Sequence, residues 1–182
     1  MKSVIRLSLT TEGSLRKAVR ELEEYKASLQ GKIERLIERL LDVGCETGIA
    51  NSGDYAGMIV FSKEIIAGSD NVEGLLIATD GTKIIREWKY RGGLRHATVS
   101  PLLMAEFGSG WLSKVLDNVE GVGQGTFPDQ EHAFDPQGWW WETPDGEKHH
   151  SYGEAPTYPV HSAMFAMMFE VDRIAKEVFN GK

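Results

Sequence analysis

Histidines are the residues of this sequence best suited to metal binding. His149 and His150 are adjacent, and His132 and His161 lie in the same half of the chain. Neighbouring side chains of a strand point to opposite faces, so His149 and His150 cannot readily share one ion. No two histidines have the four-residue spacing that places a pair of ligands on one helix face. The pattern therefore favours a surface hairpin and predicts no metal site.

Nucleophilic and nucleotide chemistry have equally weak support. Cys45 is the only cysteine, which excludes an internal disulfide and a multi-cysteine zinc site and suits a reducing compartment. It ends an apolar helical pattern, as a small packed residue would. No nucleophile-elbow motif surrounds a serine. The glycine-rich stretch Gly121–Thr126 lacks the Lys-Ser/Thr ending of a nucleotide loop. We therefore expect no enzyme activity and no cofactor.

Three consecutive tryptophans, Trp139, Trp140 and Trp141, form the most unusual local feature. In a strand, Trp139 and Trp141 would face one side and Trp140 the other. Aromatic clusters of this kind occur in sugar-binding platforms and in protein interfaces, because they bury a large area at little cost in entropy. One face is expected to pack on the chain itself, and the other to meet a neighbour.

The composition predicts one domain spanning residues 1–182, because 182 residues with 41% apolar and 26% charged content suit a single soluble domain. The longest apolar run, Met164–Phe169, is far shorter than a membrane span. The N-terminus lacks the apolar segment of a signal peptide, so an intracellular protein is expected. A net charge of −7 argues against a protein that holds nucleic acid, although not against one that lets DNA pass.

Two long amphipathic helices are predicted. A short alternating strand at Val4–Thr10 precedes an apolar repeat at threes and fours from Leu15 to Val43, which indicates a helix of about 30 residues, about 45 Å long. The stripe widens towards its end, which favours packing on a sheet over the alternative of a coiled coil. Gly44 is expected to end this helix. A second helix should begin at Pro159, with an apolar stripe of Met164, Met168, Val171, Ala175 and Val178.

The region between the two helices is predicted to form strands. Apolar runs occur at Met58–Phe61 and Leu75–Ala78, and Lys83–Tyr90 follows Asp80–Gly81, a tight-turn signal that predicts a hairpin. Ala97–Phe107 reads as one more strand. The whole order predicts an α+β fold, in which the two long helices pack on a mainly antiparallel sheet.

A long insertion rich in Gly, Pro and aromatic residues occupies residues 108–153. Its only regular feature is a predicted hairpin, with strands Trp139–Glu142 and Glu147–Tyr152 and a turn at Pro144–Gly146. A segment of this length is usually functional or ordered by a partner. We therefore expect an arm that becomes ordered on a partner, either an adjacent subunit or another protein of the same assembly.

Several motifs occur in the same order as in one known family. The segment Met104–Gly110 resembles the Glu-Phe-Gly-Thr-Gly signature of the tail-component (tail-completion, or neck) family of long-tailed bacteriophages, with Ser109 in place of the usual Thr. The Gly-Trp-Trp strand of that family resembles Gly138–Trp141. Its Gly-x-x-Pro segment is similar to Gly153–Pro156, and its closing helical phrase to Ile174–Phe179. The resemblance covers nearly the whole chain except for residues 62–96.

The resemblance implies a non-enzymatic virion protein, made in the host cytoplasm, that forms a six-fold ring at the head–tail junction. Its implied partners are other copies of itself, the connector or stopper, and the tail tube or terminator, with DNA passing through the ring without specific binding. Glu106 could pair with a basic group of a neighbour, although solvation is the simpler expectation. The predicted assembly residues are Glu106, Phe107, Gly108, Gly110, Trp111, Trp139, Trp140 and Trp141.

Two alternatives remain open. The first is another ring protein of the same neck, such as a tail terminator. The second belongs to a different class: a carbohydrate-binding or hydrolytic module that uses Trp139–Trp141 and that should bring acidic residues close to them.

Overall fold

A computed structural model gives the fold over residues 12–69, 71–90, 92–112 and 135–181. The strand predicted at Val4–Thr10, the glycine-rich stretch Gly121–Thr126 and His132 lie outside these ranges. So does the middle of the predicted arm, of which 108–112 and 135–153 are described.

Helices account for both ends of the described chain. They are α1 at Glu12–Ala50, α2 at Pro101–Phe107 and α3 at Pro159–Asn180, with a short 3₁₀ turn at Gly53–Tyr55. α3 lies along the second half of α1, and Arg39 donates a 2.5 Å hydrogen bond to Glu177. Gly181 closes α3 in the left-handed conformation, with φ 68°. None of the helices in these ranges is long and apolar enough to span a bilayer.

α1 is longer than predicted, because Gly44 does not end it. A Cβ at Gly44 would lie 2.8 Å from Met167 Sδ of α3, and one at Gly48 would lie 2.4 Å from the Phe61 ring. The two glycines lie one turn apart on α1 and let a second helix and a strand approach closely. The helix continues past both of them to Ala50.

Within the described ranges, eight strands form three small antiparallel sheets. Their bounds are β1 Ile59–Ala67, β2 Val72–Asp80, β3 Ile84–Tyr90, β4 Gly93–Val99, β5 Ser109–Gly110, β6 Trp139–Glu142, β7 Lys148–Ser151 and β8 Gly153–Glu154. The pair β1–β2 packs on α1. A second sheet has the order β4-β3-β6-β7, and β5 pairs with β8. The predicted α+β class, with long N- and C-terminal helices and mainly antiparallel sheets, is confirmed.

The predicted hairpin around Asp80–Gly81 is wrong. β2 pairs with β1, and β3 pairs with β4, so the Asp80–Gly81 turn connects two different sheets. The predicted strand Ala97–Phe107 is also wrong, because it divides into the end of β4 and helix α2. Ser100 followed by Pro101 is a helix start signal, and the Ser100 hydroxyl accepts a hydrogen bond from Leu103 N at 3.1 Å.

The core lies between α2, β1 and the 3₁₀ turn. Its buried residues are Tyr55, Ile59, Val99, Met104 and Ala105. The apolar stripe predicted for α3 is only partly right. Val178 is buried with Ala163 and Ile174, whereas Met164, Met168 and Val171 are exposed. The apolar surface of α3 is wider than one stripe, and α1 covers only one side of it.

Candidate functional site

The first residues of α2 are held by a side chain from a distant strand. One carboxylate oxygen of Asp80, at the end of β2, accepts hydrogen bonds from Leu102 N and from the Ser100 hydroxyl, both at 2.9 Å. Together with Ser100 it satisfies backbone donors that the first turn of a helix leaves unpaired. Asp80 therefore fixes where α2 begins relative to β2.

The last residues of α2 hold the start of α3. The Ala105 carbonyl accepts hydrogen bonds from Thr157 N at 2.8 Å and Tyr158 N at 3.1 Å. The Glu106 carboxylate accepts hydrogen bonds from Val160 N at 2.8 Å and His161 N at 3.2 Å. A carboxylate at a helix N-terminus is favourable because the unpaired N–H groups there carry partial positive charge. Glu106 thus caps α3 within its own chain rather than being solvated alone, and its pairing with a basic group of a neighbour stays a prediction.

Three glycines allow the backbone after α2 to pass close to the segment before α3. Gly108 has φ 68° and ψ −162°, and a Cβ there would lie 2.3 Å from the Glu154 carbonyl oxygen. Gly110 has φ 60°, with Trp139 Cζ3 2.6 Å from the position of its missing Cβ. Gly153 has φ 97°, and a Cβ would lie 2.0 Å from the Ser109 carbonyl oxygen. Any other residue at these positions would require the backbone to move.

A buried tyrosine joins this junction to the core. Tyr55, 5% exposed, donates a 2.6 Å hydrogen bond to the Glu154 carboxylate. Burial raises the pKa of Tyr55 well above its ordinary value, and the bond to Glu154 raises it further. The hydroxyl therefore stays protonated and acts as a donor. On the adjoining strand, the Ser109 hydroxyl accepts a hydrogen bond from Glu154 N at 3.1 Å. The resembled signature usually has Thr at this position, and Ser109 keeps a hydroxyl group that can make a polar contact.

The tryptophan hairpin is confirmed, with β6 paired to β7. Trp139 packs at Gly110, and Trp141 stacks on His149 with ring centroids 4.6 Å apart. Trp140 is 70% exposed and lies 4.6 Å from the His150 ring. The predicted division into one inward and one outward face therefore holds.

Beside the hairpin, Phe107 lines an open surface groove between α2 and α3, together with Glu106, Tyr158, His161, Ser162 and Phe165. Trp111 is half-buried just after β5. The eight predicted residues thus fall into two connected groups: the turn from Glu106 to Trp111, and the hairpin strand, joined by the contact between Gly110 and Trp139.

Among the described residues, the polar groups of the junction are engaged in hydrogen bonds within the chain. Its carboxylates accept hydrogen bonds from backbone N–H groups, from the Ser100 hydroxyl or from Tyr55. The Ser109 hydroxyl accepts from a backbone N–H group, and the Thr157 hydroxyl donates to the Ala105 carbonyl. Cys45 lies in α1, and burial, followed by the nearby Asp42 charge, raises the pKa of its thiol, which keeps it protonated. Within the described ranges, no three His, Cys, Asp or Glu side chains converge as metal ligands would.

Comparison with models of known protein families finds no match to this chain, and comparisons with curated proteins and with solved structures find none either. The family resemblance described above therefore stays a prediction.

Two contacts of the junction were missed from the sequence. Asp80 was predicted to lie in a hairpin turn, where aspartate is common, and no sequence motif includes Tyr55. Of the features of this junction, only the start of α2 could have been predicted from the sequence, because Ser100 before Pro101 marks a helix start. The pairing of Tyr55 with Glu154 joins residues 99 positions apart, and no local pattern predicts it.

Proposed function

We propose that this protein is a structural component of a tailed bacteriophage virion, a neck or tail-completion protein that forms a ring at the head–tail junction. In this role it carries no active site and no cofactor. Its partners are other copies of itself and the neighbouring neck and tail proteins, and DNA passes through the ring without being bound.

The proposal rests mainly on one observation: motifs that are distant in sequence lie in contact in the fold. The segments that resemble the family signature, its tryptophan strand and its Gly-x-x-Pro segment are far apart in sequence. In the fold, Gly110 contacts Trp139, and Gly108 lies against Glu154 and Pro156. Chance likenesses in separate segments have no reason to converge, whereas parts of one structural device do.

The chemistry of the junction also suits an assembly part. Its polar groups are used for capping and turn formation, which fixes the geometry of α2 and α3 rather than exposing reactive atoms. The large exposed apolar side chains of α1 and α3 suit a chain that buries more surface on assembly.

The net negative charge of the chain is compatible with a channel through which DNA passes. A wall with net negative charge repels phosphate, so DNA can slide, whereas a basic wall would retain it. The net charge of −7 has the appropriate sign. If the proposal holds, replacing acidic residues that face the lumen with lysine should slow DNA ejection, and unchanged ejection in such variants would contradict this part of it.

Imaging of the head–tail junction in particles of the phage that encodes this chain tests the assignment. The expected result is a ring of this chain between the connector and the tail tube, in intact virions and not in tailless heads alone. A ring at the tail-tube end only would instead identify a tail terminator. Absence of the chain from purified particles, measured by mass spectrometry, would reject the virion role altogether.

A second candidate is carbohydrate binding by the hairpin. The favouring observation is the exposed aromatic row of Trp140, His150 and Tyr152, whose neighbouring rings are 4.6 Å apart. Glu142 lies on the same hairpin, although it pairs with Lys89 at 3.4 Å. This candidate predicts glycan binding by the isolated protein that Trp140→Ala abolishes and Ile85→Ala, a change at an exposed apolar residue of β3, leaves intact. No binding on a broad glycan panel would exclude it.

A further inference from the structure

Positive charge is concentrated in one segment of this acidic chain. Residues 83–99 contain five Lys or Arg residues and one Glu, a net charge of +4, in a chain with a net charge of −7. The other residues therefore carry −11. This segment, here called the basic ribbon, spans β3 and β4. Because the Debye length is about 8 Å at 0.15 M salt, a molecule that touches the ribbon experiences its local charge rather than the net charge of the chain.

The basic ribbon is accessible on both faces and along one edge. Among the described residues, β4 is the outer strand of its sheet, which has the order β4-β3-β6-β7. β3 and β4 pair along their full length, and Ile84 and Val99 fix one end of the pair to the core. Beyond that end, residues 85–87 and 93–96 are all exposed. Since consecutive side chains of a strand point to opposite faces, both faces of the ribbon are open to another molecule.

Two basic side chains of the ribbon make no ion pair or hydrogen bond with another described residue. Lys83 directly precedes β3, and Arg95 lies in β4 opposite Trp88. Both are exposed. Trp88 is five positions beyond Lys83, so the two cations are about 17 Å apart along the ribbon at about 3.3 Å per residue. They can therefore contact different charges of one extended anionic ligand.

The other basic residues of the ribbon already have partners or lie outside the described ranges. Lys89 lies 3.4 Å from Glu142, where β6 joins β3. Arg86 interacts with the Tyr55 hydroxyl. Arg91 belongs to the residues whose structure is not described. The inference therefore depends on the two unpaired side chains, and Lys89 adds to them because an exposed ion pair is weak and can exchange its anion.

The side chains of the ribbon suit a nucleic-acid backbone better than a protein surface. The centre of a protein–protein interface is apolar and depleted of lysine. The two large exposed apolar side chains, Ile85 and Leu94, are four positions apart along the ribbon, about 13 Å, and form no continuous patch. Interfaces with DNA are much more positively charged, and the major groove of duplex DNA is wide enough for a two-stranded ribbon.

We propose that the basic ribbon contacts the phosphate backbone of duplex DNA without reading its sequence. The contact is electrostatic and involves only two to four phosphates or so, which makes it weak and lets the protein slide along the duplex. It goes beyond the proposed function, which assigns DNA no binding surface. A contact of this kind is compatible with the passage of DNA, and it depends on the charges of the ribbon and not on the location of the chain in a virion.

Fluorescence anisotropy with a labelled 20-base-pair duplex of mixed sequence, between about 50 and 200 mM salt, tests the contact. The wild-type chain should bind at low salt, and the logarithm of its binding constant should fall against the logarithm of salt concentration with a slope of about −2 to −4. Lys83→Gln and Arg95→Gln should each reduce that slope by about 1 and weaken binding about ten-fold at 50 mM salt.

Lys176→Gln is the matched control. It removes the same charge from an exposed residue of α3, so the net charge of the chain changes equally while the ribbon stays intact. This variant should bind DNA like the wild type. Because all three substituted side chains are exposed, the variants should also keep the urea midpoint of the wild type, which separates a lost contact from a damaged fold.

Three results would overturn the inference. The first is a wild-type chain that binds no duplex at the lowest salt concentration. The second is a Lys176→Gln variant as impaired as the ribbon variants, because net charge would then govern binding. The third is a polyglutamate peptide that displaces the labelled duplex as well as unlabelled DNA does, since the ribbon would then be a site for an acidic protein surface. Each of these leaves the proposed ring to the imaging of particles, and DNA binding by a chain absent from particles would reject the virion role alone.

Discussion

Replacing Gly108 with alanine tests whether the junction after α2 depends on close backbone contact. The residue has φ 68° and ψ −162°, a combination that is essentially restricted to glycine. Its missing Cβ would lie 2.3 Å from the Glu154 carbonyl oxygen and 2.8 Å from Pro156 N. Both obstacles are backbone atoms, so no side-chain rotation can relieve them.

Two costs add in the Gly108→Ala variant. Backbone strain in this region of conformational space costs about 1–3 kcal/mol. Forcing an extra methyl group into a filled site costs a further 1–3 kcal/mol or so. We therefore expect a loss of about 2–6 kcal/mol in the free energy of unfolding, a large share of the roughly 5–15 kcal/mol that holds a typical domain together.

Urea denaturation followed by tryptophan fluorescence measures this loss. With a denaturant slope of about 2 kcal/mol per molar, the midpoint should fall by roughly 1–3 M. Gly57→Ala is the matched control, because Gly57 also has positive φ, 83°, but nothing lies within 4 Å of its missing Cβ. It should lose only about 1–2 kcal/mol from conformational strain. Equal losses in the two variants would refute the reasoning, since they would show that the contact with Glu154 and Pro156 carries no energy.

Three further predictions concern single contacts. Asp80→Ala should lower the free energy of unfolding by about 1–2 kcal/mol, because the first turn of α2 loses its acceptor. Tyr55→Phe should cost about 1–3 kcal/mol in the same urea assay, because it removes the donor to the Glu154 carboxylate. The pKa of Glu177 is lowered, first by the hydrogen bond from Arg39, so this contact stabilises the fold above the ordinary pKa of 4.5 and is lost as the pH falls through the lowered value. Glu177→Gln should therefore show a weaker dependence of stability on pH below 4.5.

Each of these predictions has an outcome that would contradict it. An Asp80→Ala variant as stable as the wild type would mean that the Ser100 hydroxyl alone caps α2. A Tyr55→Phe variant without loss would mean that water replaces the tyrosine as partner of Glu154. An unchanged acid transition in Glu177→Gln would mean that other carboxylates set the stability of the fold at low pH.

Local sequence patterns were sufficient to predict those elements whose periodicity and turn residues lie within a short stretch of the chain. The repeat from Leu15 to Val43 predicted α1, and Pro159 predicted the start of α3. The hairpin of Trp139–Glu142 and its partner strand was also predicted, because a turn at Pro144–Gly146 separates two short extended segments. These elements depend on periodicity and turn residues that lie within a few positions of one another.

Glycine and aspartate were interpreted wrongly where the same residue type serves two purposes. Gly44 fits a helix end, and it also fits a close approach between helices, which is its role here beside Met167. Asp80 fits a hairpin turn, and it also fits a helix cap, which it supplies to α2 from a distant strand. Only the position of the partner element distinguishes these uses, and that position is not encoded locally.

Tertiary structure alone decided which apolar surfaces are buried. The sequence shows that Met164, Met168 and Val178 belong to an apolar helix, but not which side of it α1 covers. Because apolar residues surround most of α3, the hydrophobic effect gives no preference for one side until a partner is present. The same holds for α1, whose apolar repeat runs from Leu15 to Val43 and does not by itself show which part of it is covered. The sequence by itself therefore determined that both segments form helices with large apolar surfaces, and the tertiary structure decided which parts of those surfaces are buried within the chain.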